Sequence, residues 1–190
     1  MSISSKTHQF SKLIANAKFT AAARKLSSEK GTRLALDLLR DTHLSGGCIY
    51  LVGNGGSAAV ASHAITDLVN AAGYCARVLH EPSLLTCLSN DHGYENAYAR
   101  VLKGQAKKED LLIAISSSGK SRNILNAAKV MRRAGGRLMT LTGFNARNPL
   151  RQKGDLNIWL DSTDYGPVEI GHLFILHFFS DLLVVYDKKK

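Results

Sequence analysis

Five short runs along the chain are apolar at nearly every position: 48–52 (CIYLV), 75–79 (CARVL), 111–116 (LLIAIS), 137–142 (RLMTLT) and 156–160 (LNIWL). Apolar character that continues through a run, instead of alternating with polar residues, predicts strands covered on both faces. The segments between them, at about 58–71, 94–106 and 121–134, have helical patterning, and Gly135-Gly136 supplies a stop for the last. Two further helices are expected before the first strand, at about 6–25 and 29–44, and one long helix after the last, at about 167–186. Strands alternating with helices predict an α/β fold: a five-stranded parallel, doubly wound sheet with helices on both faces and additional N-terminal helices. Ligands are then expected outside the carboxyl ends of the strands. No repeat or linker divides the sequence, so 1–190 is expected to be one domain. Residues 1–45 would serve packing or subunit association, and 46–190 would form the sheet and last helix.

With 190 residues, 45% of them hydrophobic and 21% charged, the chain has the apolar content for one substantial core, which excludes a disordered tail or a collagen-like chain. A formal charge of +10 brings polyanions into consideration. The excess is regional: residues 1–50 hold eight Lys and Arg against three Asp and Glu, and residues 101–150 hold ten against two. Cys48, Cys75 and Cys87 are too few and too widely spaced for a disulfide scaffold and read as reduced thiols of a cytoplasmic protein. The N-terminal residues lack the apolar core of an export signal. The apolar stretch 170–186 is interrupted by His172, His177 and Asp181, which points to a core helix rather than a membrane span.

Two loops follow predicted strands and open predicted helices. Gly53-Asn54-Gly55-Gly56-Ser57 lets the backbone approach a ligand and exposes helix-start N–H groups. It has neither the spacing of a dinucleotide loop nor the lysine of a P-loop. Ser116-Ser117-Ser118-Gly119-Lys120-Ser121 gathers four hydroxyls, backbone amides and a cation at a positive helix end, the environment an anionic phosphate requires. His63 and Asp67, four residues apart, share one helix face, a geometry open to two metal ligands, an acid–base couple or a plain surface contact. Glu169, His172 and His177 lie in an otherwise apolar helix, where an ionisable group is costly unless paired or ligated. Glu169 and His177 fall about 80° apart on the wheel, whereas His172 diverges from His177 by about 140° and reads as structural.

In their order and register, GNGGS at 53–57, His63 with Asp67, SNDHGY at 89–94, ISSSGKS at 115–121, LTG at 141–143 and DYGPVEIGHLFILH at 164–177 resemble the sugar isomerase (SIS) domain family. Within it the chain is similar to the members that convert sedoheptulose 7-phosphate to D-glycero-D-manno-heptose 7-phosphate, a step that feeds heptose biosynthesis. The resemblance implies a homotetramer with sites at subunit contacts. Asn54, Gly55, Gly56, Ser57 and Glu169 would line the sugar, Asn90 and Asp91 would meet its hydroxyls, and Ser116, Ser117, Ser118 and Ser121 would hold the phosphate. One zinc per subunit would fall to His63, Asp67, Glu169 and His177. Asp67 would abstract the carbon-bound proton of a cis-enediol mechanism, and His177 would shuttle a proton on the opposite side. The family usually has Glu at position 67 and often Gln at position 169. A SIS module that binds a phosphosugar or a protein without catalysis is the alternative. The +10 charge argues mildly for that alternative; with the serine loop inside one basic block, it reads as steering an anionic phosphosugar to the site, and neither nucleic acid nor membrane is an expected partner.

Overall fold

A computed structural model describes residues 2–187; the basic end at 188–190, expected to be solvated surface, lies outside the described residues. The five apolar runs form the strands β3 (Ile49–Val52), β4 (Ala76–Val78), β5 (Leu111–Ser116), β6 (Arg137–Thr142) and β7 (Leu156–Trp159). All pair in parallel, in the spatial order β4-β3-β5-β6-β7. Successive side chains of a strand point to opposite faces, and each face has its own core. Leu111, Ile113 and Ile115 of β5 join Leu39, Val60 and Phe179 on one side, while Leu112 and Ala114 join Tyr98, Ile124 and Met131 on the other.

The first face is covered by α1 (Ile3–Ala15), α2 (Ser28–Leu44), α3 (Gly56–Thr66) and α7 (Tyr165–Asp187). The second is covered by α4 (Pro82–His92), α5 (Ala97–Gln105) and α6 (Arg122–Arg133). The chain thus leaves β3 for one face and β5 for the other, so a crevice opens between the carboxyl ends of these two neighbouring strands. This reversal point is where doubly wound folds hold ligands.

Two expectations need correction. The sheet has seven strands, because the helix expected over about 6–25 stops at Ala15 and gives way to an antiparallel hairpin, β1 (Lys18–Ala21) and β2 (Arg24–Leu26), paired to the outer edge of β7. Its turn residues Ala22 and Ala23 both have positive φ (46° and 62°), the conformation that two-residue hairpin turns require. Phe19 pins the hairpin on α2 above Gly31, where a Cβ would strike the Phe19 ring. The second correction is α4, absent from the sequence reading, which starts on Glu81 as N-cap, with Pro82 in its first turn.

By length and composition α7 could cross a membrane, but Ile175, Leu176, Phe179 and Leu183 face the core. His172 on the same helix is fully buried, and its Nε2 lies 3.1 Å from the carbonyl oxygen of Thr142. Burial lowers its pKa from 6.5 to about 4. Below pH 6.5 the unfolded chain takes up a proton there that the folded chain refuses. Stability is therefore expected to fall as pH drops from 6.5 to about 4, by on the order of 3 kcal/mol in all. Denaturant midpoints measured across that range should show a flatter dependence in His172→Gln; an unchanged slope would exclude His172 as its source.

Candidate functional site

Gly53 ends β3 and turns the chain into α3. Its lack of a side chain is steric, since a Cβ would land on the carbonyl of Ser57 in the first turn of the helix. Gly55 caps α3 at φ 52°, with no side chain bonded to the helix-start N–H groups. At α6 the side chain of the cap residue Ser121 likewise bonds none of them, although the Ile124 N–H is taken by Asn123 Oδ1 at 3.0 Å. Two positive helix ends thus meet beside the crevice.

Between them is a cavity of about 130 Å³, lined by Asn54 and Ser57 of the first loop, Ser116, Ser117, Ser118 and Ser121 of the second, and Tyr165 and Glu169 of α7. The second loop is tied internally. Ser116 Oγ accepts from the Gly119 N–H at 3.2 Å and lies 3.3 Å from Ser121 Oγ, and Ser118 Oγ accepts from the Lys120 N–H at 3.3 Å. Ser117 Oγ is buried without a partner among the described residues, a donor held ready for an acceptor. Glu169 packs against Gly56, whose missing Cβ makes room for the carboxyl group.

A second cluster forms where the C-terminal end of α3 meets the middle of α7. His177 Nδ1 lies 2.6 Å from Asp67 Oδ2, and His63 Nε2 lies 3.6 Å from the same oxygen. The contact with Asp67 raises the pKa of His177. Asp67 heads a five-residue segment, Asp67–Ala71, in which α3 widens to π geometry, a distortion often found at functional sites. Its side chain is 19% exposed, and both imidazoles are about half exposed, so the cluster faces solvent. Ligand atoms of all three residues lie within 4.8 Å of one another. Two imidazole nitrogens and a carboxylate oxygen are a donor set zinc accepts, with a fourth position left open.

The structure therefore brings His63, Asp67 and His177 together and leaves Glu169 out of their group. Eight residues of α7 separate Glu169 from His177, a rise of about 12 Å, and Glu169 belongs instead to the serine-lined cavity. Asp67 and His177, expected to share the proton transfers, are in direct contact. Asn90 and Asp91, in the last turn of α4, bond to each other at 3.0 Å and do not line the cavity. The nearby Tyr94 does reach the first loop, donating to Asn54 Oδ1 at 2.8 Å. Sequence reasoning assigned no role to Tyr94 or to buried Asn123, which also bonds Asn54. The one signal for Asn123 is a polar residue on the inward face that Ile124, Ala127 and Met131 continue.

A mostly parallel sheet with two positive helix ends and a serine-rich loop at its reversal point defines a doubly wound α/β protein of the kind that holds an anionic ligand there. The chain belongs to the SIS domain family, whose model matches residues 16–143. The phosphoheptose isomerase of Aliarcobacter butzleri is 35% identical over 155 residues, covering 78% of this chain and 79% of that one. That of Sodalis glossinidius is 40% identical over 114 residues, a match spanning 57% of this chain and 59% of the relative. A solved phosphoheptose isomerase from Neisseria gonorrhoeae superposes with a TM-score of 0.80 at 22% identity, over 95% of this chain and 97% of the other.

Proposed function

We propose that this chain, as a single SIS domain, isomerises sedoheptulose 7-phosphate to D-glycero-D-manno-heptose 7-phosphate in the cytoplasm. The relatives named above supply the substrate class. The observation that carries the reading is the carboxylate of Asp67 held between two imidazoles, for which a module that only binds sugar has no use.

The phosphate sits among Ser116, Ser117, Ser118 and Ser121 at the start of α6, drawn there by Lys120, Arg122 and the wider basic surface. Asp67 Oδ2 is the atom both imidazoles approach, which leaves Oδ1 to take the proton from carbon. Because the enediol is cis, the same carboxylate returns that proton to the adjacent carbon on the same face. His177, whose hydrogen bond to Asp67 raises its pKa, is placed to move a proton between the two sugar oxygens. His63, Asp67 and His177 would hold the zinc, which when bound polarises the carbonyl or the neighbouring hydroxyl.

Within one chain the serine cavity lies at the N-terminal ends of α3 and α7 and the triad at the C-terminal end of α3 and the middle of α7, and the ten residues from Ser57 to Asp67 rise about 15 Å. A complete site is therefore assembled from more than one copy, in keeping with a homotetramer. Ile170, Phe174 and Phe178, exposed on α7 around His177, are apolar surface suited to that contact. The purified protein should contain about one zinc per chain, lose most of its turnover of sedoheptulose 7-phosphate on chelation and regain it with added zinc. Absence of zinc with turnover indifferent to chelation would remove the metal from the reading, and absence of turnover would remove the isomerase.

A further inference from the structure

Asn54 and Asn123 face each other through a reciprocal pair of hydrogen bonds. Asn54 Nδ2 donates to Asn123 Oδ1 at 3.0 Å, and Asn123 Nδ2 donates to Asn54 Oδ1 at 2.8 Å. A carboxamide turned end for end occupies nearly the same volume, so such a pair keeps one direction only if a third group that can only donate decides it. The backbone N–H of Ile124 is that group. It donates to Asn123 Oδ1 at 3.0 Å, so this oxygen, not the NH₂, must lie toward the helix start. Asn123 is 3% exposed, so bulk solvent does not compete for its amide. Its fixed direction fixes Asn54 in turn, and Tyr94 completes the arrangement by donating to Asn54 Oδ1 at 2.8 Å.

The donor and acceptor count then has a chemical consequence. Both lone pairs of Asn54 Oδ1 are engaged, while Nδ2 keeps one N–H without a partner among the described residues. Asn54 lines the serine cavity, and the carbonyl of the preceding Gly53 is itself held by the buried hydroxyl of Tyr98 at 2.8 Å. We propose that Asn123 and Tyr94 are positioning residues that lock Asn54 as a pure hydrogen-bond donor in this cavity. The ligand group it meets is an oxygen that accepts: a sugar carbonyl, the enediolate oxygen that replaces it, or a phosphate oxygen. Since Asn123 lies in the first turn of α6, just after the serine loop, the same helix end that receives an anion sets the direction of Asn54. The role in turnover rests on the isomerase reading above, whereas the direction of the amide does not.

The test has two arms. In the first, turnover of sedoheptulose 7-phosphate is measured for Asn54→Ala, Asn123→Ala and the double variant, with Tyr94→Phe, an exposed position that spares folding, paired with Asn54→Ala in the same way. Asn123→Ala is expected to lower kcat/KM about 10- to 100-fold and Tyr94→Phe less, with each double variant no worse than Asn54→Ala alone. Effects that multiply would show that Asn123 and Tyr94 do not act through Asn54, and would overturn the proposal. In the second arm, side-chain amide NMR of the substrate-free wild type should show slowly exchanging Asn54 and Asn123 signals, with those of Asn54 displaced in Tyr94→Phe. An Asn54 amide that exchanges like a free one overturns the proposal whatever the activity. A wild type that turns over no heptulose phosphate yet shows both amides locked defeats the isomerase reading and upholds the lock.

Discussion

Asp67→Asn is expected to lower kcat for sedoheptulose 7-phosphate by about a thousandfold, the contribution of a well-placed general base. The amide matches the carboxylate in volume, so the loss would be chemical. An amide oxygen cannot take a proton from carbon at neutral pH, and the zinc donor set loses its charge. A second signature separates this from a general disturbance. The hydrogen bond to Asp67 is the main reason the pKa of His177 is raised. In the variant the imidazole should titrate closer to the ordinary histidine range, which an NMR titration of the ring protons reads directly. Asp67→Asn with near wild-type turnover would sink the proposed base.

Gly53→Ala is the other variant of large expected effect. The added methyl would meet the carbonyl of Ser57 and the peptide nitrogen of Ala58, which are helix backbone and cannot swing aside. The strain is relieved only if α3 slides away from β3, at about 1–3 kcal/mol for overpacking. Because α3 is rigid, it carries His63 and Asp67 with it, and a shift of about 1 Å at reacting groups costs roughly a hundredfold in rate. Gly56→Ala is the control. There the methyl would meet the carboxyl end of Glu169, a flexible side chain that can turn away, so the loss should be much smaller. Melting temperature and kcat measured together decide it; equal effects from the two substitutions would break the steric argument.

The strands of the parallel core were legible because both faces of this sheet are covered, which leaves a run such as residues 111–115 no polar position to blur it. The two ligand loops were legible for the same reason, as abrupt polar breaks after apolar runs. The hairpin was not. Ala22-Ala23 adopts positive φ where Gly or Asn would announce a turn, and the alanines read as a continuing helix. Helix α4 buries no residue completely and so has little apolar periodicity, and its one local start signal is Glu81-Pro82. In the site, the spacing of His63 and Asp67 survived intact because one helix carries both. Glu169 was grouped with His177 through the resemblance, and the helical rise between them places it in the other cavity. The pairing of Asn54 with Asn123 spans 69 residues and depends on two strands lying side by side, which no local pattern encodes.

The hairpin also decides what kind of neighbour the sheet can take. An open sheet ends in unpaired backbone groups that recruit strands from other chains. Here one boundary is the three-residue β2, with Arg24 and Lys25 exposed, and the other is the equally short β4, with Arg77 exposed at its centre. Like-charged rims of this length repel a copy arriving strand to strand. Any copy that associates with this chain is thereby left the helical faces, where side-chain shape selects the partner and a continuous cross-chain sheet does not grow.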